Sequence, residues 1–68
     1  MGTISVQLNG EVVQTTSTTL FELLSEYSFT EKKIAIEYNK EIVPKSQSSA
    51  VKLKANDSIE IVHFVGGG

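Results

Sequence analysis

Gly66, Gly67 and Gly68 follow an apolar, strand-like segment, and their arrangement suggests covalent chemistry carried by the main chain. Glycine makes up about 7% of average residues, so three in a row at a given place arise by chance roughly three times in ten thousand. Glycines after a strand cannot pack a side chain and lose much backbone entropy on ordering, so the segment reads as a flexible extension ending in a carboxylate. Three extended residues span about 10 Å. Without side chains they can thread a narrow tunnel and present that carboxylate in another enzyme's active site. A carboxylate becomes an acyl donor once its oxygen is made a leaving group. Attack of the Gly68 carboxylate on the α-phosphate of ATP does this, and the acyl-adenylate then accepts sulfur or an amine. Residue types alone leave a second reading open, in which 66–68 is an idle extension.

The other chemistries are poorly supplied. His63 is the single imidazole and has no cysteine companion, which argues against a zinc site. On a terminal strand it reads as a sheet or interface residue rather than a general base. The serines and threonines lack a base and an orienting acid, and no glycine-rich phosphate loop opens a helix. No cysteine is present, so disulfides and thiolate catalysis are excluded. Six lysines, no arginine and eight acids give a net charge of −2, divided as −2 before residue 35 and 0 after it. That balance lacks the basic stripe of a nucleic-acid binder. The apolar runs are too short for a transmembrane span, and the N-terminus lacks the regions of a signal peptide, so a cytoplasmic protein is expected. Met1-Gly2 opens like a myristoylation signal, but Val6 stands where that motif needs Ser or Thr. No bound cofactor and no metal are expected.

These features need a platform, and 68 residues allow one small domain. Ile4, Val6 and Leu8 alternate with polar residues as a half-buried strand, and Asn9-Gly10 signals a two-residue hairpin into a second arm, Glu11 to Thr16. Leu20, Leu23, Leu24 and Tyr27 fall at i, i+3, i+4 and i+7 and predict one amphipathic helix. Thr19 and Glu22 have capping-box spacing, with Thr18 the competing cap. Ile34, Ile36 and Tyr38 alternate again, Asn39-Lys40 makes a turn, and Glu41-Ile42-Val43 returns until Pro44 stops it. Ser46 to Ser49 reads as a loop or short helical turn, and Asn56-Asp57 as a turn. A last strand is expected from Ser58 to Val65, with Ile59 and Ile61 on one face and Glu60, Val62 and Phe64 on the other. The order predicts an α+β domain over 1–65, with a mixed sheet of about five strands, one helix on one face and a bare opposite face. Residues 66–68 form the tail. The expected core is Ile4, Val6, Leu8, Leu20, Leu23, Leu24, Ile36, Ile59 and Ile61.

The segment Tyr38-Asn39-Lys40-Glu41-Ile42-Val43-Pro44-Lys45-Ser46-Gln47, the Ala55-Asn56-Asp57 turn before Ile59-Glu60-Ile61-Val62, and the closing Val65-Gly66-Gly67-Gly68 resemble the ThiS family of thiamine-biosynthesis sulfur carriers. The resemblance covers nearly the whole chain. It departs at Lys45, where the family commonly has Arg, at Lys40 and Asn56, where it has Gly, and near Ser48, where it has a bulky residue. The resemblance implies a ubiquitin-like β-grasp fold and a carrier, not an enzyme. A ThiF-type adenylyltransferase would use ATP to adenylate Gly68, and sulfur originating from a cysteine desulfurase would give a terminal thiocarboxylate. A ThiG-type thiazole synthase would receive the sulfur. Val62, Phe64 and Val65 would then be partner contacts beside the tail, although Phe64 could equally shield the end of the sheet. Two neighbouring functions remain open at this point: the small subunit of molybdopterin synthase, and a modifier joined to protein lysines through Gly68.

Overall fold

Two asparagine turns set the sheet. In the computed structural model, which describes residues 2–29 and 34–63, Asn9 and Gly10 both take positive φ (52° and 84°), as do Asn39 and Lys40 (51° and 73°). Positive φ at both central residues matches the natural twist of a tight hairpin. The first turn joins β1 (Ile4–Leu8) to β2 (Glu11–Thr15), and the second joins β3 (Ile34–Tyr38) to β4 (Glu41–Val43). Between the hairpins lies α1 (Leu20–Glu26); after them come a 3-10 helix (Lys45–Ala50) and β5 (Ser58–His63). The sheet order is β2-β1-β5-β3-β4, with β5 parallel to β1 and antiparallel to β3. The last strand in sequence is therefore the central strand in space.

Alternation places Val6, Leu8, Ile34, Ile36, Ile59 and Ile61 on one face, where they pack with Leu20, Leu23 and Leu24 of α1 as the buried core. Each such side chain contributes about 1.5–3 kcal/mol of transfer free energy. The expected core holds with one exchange. Ile4 is only partly buried and packs on the core's margin, while Ile34 is 8% exposed and belongs to it. Ile4 pairs only with Thr15 of the edge strand β2, because β5 meets β1 at Gln7 and Leu8 alone, whereas Ile34 pairs with His63 of the central strand β5, a difference of sheet order that alternation does not carry.

The helix ends are built from side chains. Thr19 caps α1, its hydroxyl accepting the Glu22 N–H at 3.2 Å. Glu22 reaches back to Thr18, accepting its backbone N–H at 2.7 Å and its hydroxyl at 2.9 Å, so Thr18 and Thr19 share the capping role. The Thr18 backbone and side-chain donors hold the Glu22 carboxyl below its usual value. At the other end Ser28 adopts φ 64°, with Phe29 N–H bonded to Leu24 O and Ser28 N–H to Ser25 O. This is a Schellman motif carrying serine where glycine is usual. Helix and second strand stop one residue short of expectation, at Glu26 and Thr15. Pro44 ends β4, and the following 3-10 helix packs Ser48 against the core side, its hydroxyl donating to Lys45 O.

The expected Asn56-Asp57 turn is displaced by one. Ala55 and Asn56 form it, Asn56 with φ 73°, and Asp57 is instead a buried acceptor at the foot of β5. Asp57 accepts from Tyr38 Oη at 2.6 Å, from the Lys54 amide at 2.7 Å and from Asn39 Nδ2 at 3.1 Å. Burial pushes the Asp57 carboxyl up, but these donors and the Lys54 charge outweigh it and hold the pKa below the ordinary 3.8. Burial, with the adjoining carboxylate, pushes Tyr38 up to about 12.

A depressed carboxyl stabilises the fold above its unfolded pKa, and that contribution is lost as pH falls from about 4 through the lower folded value. A raised phenol stabilises below its unfolded pKa of 10.0, and its contribution is lost between there and about 12. Urea titrations across pH are expected to show both slopes, and Asp57→Asn to flatten the acidic one. Tyr38→Phe is expected to cost about 1.5–3 kcal/mol at neutral pH, because it removes a hydrogen bond to a buried charge. Lys40→Gly is expected to stabilise by roughly 0.5–1 kcal/mol, read from the urea midpoint, by relieving a left-handed lysine.

Candidate functional site

β5 delivers the chain towards the glycines, and both hairpin turns hold it. At its start, the Ser58 N–H donates to Asn39 Oδ1 at 2.8 Å and the Asn39 N–H donates to Ser58 O at 2.8 Å. With the Asp57 cluster just before it, the entry to β5 is fixed from the β3 side. On the β1 side, Gln7 N–H donates to Asp57 O at 2.8 Å and Asn9 N–H to Ile59 O at 2.9 Å. There β1 turns away into its hairpin, and the Asn9 side chain takes over: its Oδ1 accepts the Ile61 N–H at 2.7 Å across 52 positions of sequence. A side-chain carbonyl thus supplies the rung that β1 no longer provides. Asn9, Asn39 and Asp57 were not among the expected site residues. The asparagines were legible as turn formers, but nothing local in sequence marks their reach to β5.

The sheet face opposite α1 is the bare face expected. Val62 lies on it, 55% exposed, directly across from Ala35 of β3. Ile42 of β4, 67% exposed, pairs with Glu37, which in turn faces Glu60 of β5. This end of the open face therefore combines apolar side chains with two acids set opposite each other. Like charges in that position disfavour the isolated sheet and suit a basic group on a partner. Val12, 68% exposed, stands apart on β2 at the far edge.

Of the expected site residues, Val62 is placed on the open face. Phe64, Val65, Gly66, Gly67 and Gly68 lie outside the described residues. His63 pairs through its backbone with Ile34. Among the described residues, no three His, Cys, Asp or Glu side chains come together as a metal site, and no helix is long and apolar enough to cross a membrane.

Comparison with known proteins agrees with this geometry. The ThiS family model matches residues 4–68. The chain is 45% identical over 65 residues to the sulfur carrier protein ThiS of Bacillus subtilis, covering 93% of this chain and 98% of that one. It is 42% identical over 66 residues to a thiazole synthase of Magnetococcus marinus, covering 96% of this chain but spanning only 20% of that relative's length. The crystal structure of the thiamine biosynthesis protein ThiS from Geobacter metallireducens superposes with a TM-score of 0.81 at 25% identity, covering 96% of this chain and 100% of that one. The mixed five-stranded sheet with its single helix is the ubiquitin-like β-grasp fold. A mixed five-stranded sheet with one bare face and a match along almost the whole length place the chain in one family: it belongs to the ThiS family.

Proposed function

We propose that this chain is a sulfur carrier of thiamine biosynthesis whose reactive group is the Gly68 carboxylate. The observation that carries this reading is the near-complete, 45% identical match to a protein of that name in Bacillus subtilis. The chemistry of the chain supports it. With no cysteine in the sequence, a carrier has no side-chain sulfur to use and must work through its terminus.

In this reading an adenylyltransferase of ThiF type, a separate enzyme, binds the carrier and ATP. The Gly68 carboxylate attacks the α-phosphate, pyrophosphate leaves, and the acyl-adenylate forms. Sulfur handed on from a cysteine desulfurase as a persulfide attacks the acyl-adenylate and displaces AMP, and a thiol then reduces the resulting acyl disulfide by two electrons to leave a thiocarboxylate at Gly68. ATP is a substrate of the activating enzyme and is not a cofactor of this chain. The acceptor is a thiazole synthase, a choice favoured over molybdopterin synthesis because a relative 42% identical to this chain is itself a thiazole synthase. Residues 1–65 serve as the platform, Gly66 and Gly67 as the narrow lead to Gly68, and Val62, Phe64 and Val65 as contacts on the side that partners approach. No side chain of the carrier performs catalysis, and the work is expected to take place in the cytoplasm.

The reading is tested in a strain lacking its own carrier and grown without thiamine. The full chain is expected to restore growth and a chain lacking Gly67-Gly68 to fail, with a melting temperature within about 2 °C of the full chain, since a terminal extension contributes little to folding. Rescue by the shortened chain would overturn the assignment. Val62→Asp is expected to weaken binding to the activating enzyme or to thiazole synthase by roughly tenfold or more in calorimetric titrations. Because Val62 is already exposed, the same change is expected to leave the urea midpoint nearly unmoved.

A further inference from the structure

β5 continues beyond the strand that pairs with it on one side. Its parallel pairing with β1 comprises Gln7↔Ser58 and Leu8↔Ile59, yet β5 runs to His63. On the other side β3 accompanies it from Tyr38↔Ile59 as far as Ile34↔His63. Backbone groups of successive strand residues point alternately to the two sides. Asp57, Ile59 and Ile61 turn theirs towards β1, as the bonds from Gln7 and Asn9 and to Asn9 Oδ1 record, while Ser58 turns its own towards β3. By that alternation the His63 N–H and the Ile61 C=O both point to the side that β1 has left. Asn9 Oδ1 occupies the Ile61 N–H, so among the described residues the next unpaired rung on this edge is the Ile61 carbonyl and the His63 amide. An acceptor on one residue and a donor two residues later are the two contacts that one residue of a parallel strand makes.

We propose that this edge of β5, from the Ile61 carbonyl to the His63 amide, is where an extended segment of thiazole synthase adds as a strand beside the hairpin turn at Asn9. The proposal rests on the functional reading above and names how the carrier is gripped. The occupant follows from position. The edge belongs to the strand that leads, within five residues of sequence, to Gly68, so an enzyme that acts on Gly68 approaches this end of the sheet. Of the two in the proposed cycle, thiazole synthase is the one with a relative carrying a segment 42% identical to this chain within its own length. Backbone pairing there fixes the direction of the chain entering the active site without using side chains. Asn9 completes the arrangement by ending the internal ladder one rung early: it satisfies Ile61 and leaves the following rung to the partner. The opposite side of β5 offers no such position, because β3 already fills it.

Removal of the amide separates a backbone grip from a side-chain contact. Proline at an edge position facing away from its paired neighbour is tolerated in sheets, so His63→Pro deletes the N–H, whereas His63→Ala keeps it. Binding of each full-length variant to purified thiazole synthase is measured by titration, with melting curves as control. His63→Ala is expected to bind within about twofold of the unaltered chain and His63→Pro to bind roughly tenfold or more weakly. Equal affinities, or equal losses in both variants, overturn the proposal. Should His63→Pro unfold, hydrogen exchange on the unaltered chain decides. The His63 amide is expected to exchange at least about tenfold more slowly once thiazole synthase is bound. Binding without that protection overturns the edge proposal and leaves the carrier assignment standing. Failure of the unaltered chain to bind overturns both. Protection of the free chain that grows with its concentration assigns the edge to a second copy and also overturns the proposal.

Discussion

The hydrogen bond from the Ile61 amide to Asn9 Oδ1 joins the first hairpin turn to the last strand and holds that strand where its pairing with β1 has ended. Without it, β5 beyond Ile59 would be held from the β3 side alone, since β1 pairs no further. A parallel neighbour to β5 is available only because the chain opens with a hairpin and closes with a strand laid between the two hairpins. Asn39 and Asp57 fasten the entry to that strand, and Asn9 fastens its exit. The residues that orient the tail strand are thus turn residues of the hairpins, remote from the tail in sequence.

The small size of the protein sets the division of labour. Among the described residues, one core of nine buried aliphatic side chains is closed on one side by α1, and the opposite face of the sheet is left open. Among the described residues no second layer covers that face, so Val62 and Ile42 remain exposed on it. Val62, Ala35 and Ile42 give it an apolar part, and the opposed Glu37 and Glu60 give it charge. The absence of cysteine fits the proposed plan, in which the reactive group is the Gly68 carboxylate rather than a side chain of the core.

Local sequence features made the hairpins, the helix and their turns legible because each is set by neighbours in the chain: period-two alternation at Ile4–Leu8 and Ile34–Tyr38, and helical spacing at Leu20, Leu23 and Leu24. Lys40 and Asn56, where the resembled family commonly carries glycine, both adopt φ 73°, so those departures sit where the backbone is left-handed. What depends on strand order was not legible. Ile34 is buried and Ile4 less so because of which strands flank them, and Asp57 is a buried acceptor because Tyr38 and Asn39 come from another hairpin. At the site, the exposure of Val62 on the open face followed from strand alternation, whereas the clasp at Asn9 required knowing that β1 and β5 lie side by side.

The central claim, that the chain carries sulfur on its own terminus, is tested most directly by intact-mass analysis after incubation with an adenylating enzyme, ATP and a sulfur donor. The account predicts the mass gain of a single oxygen-for-sulfur exchange, located by fragmentation at Gly68. An unchanged mass in the presence of an enzyme that converts the Bacillus subtilis carrier would contradict it.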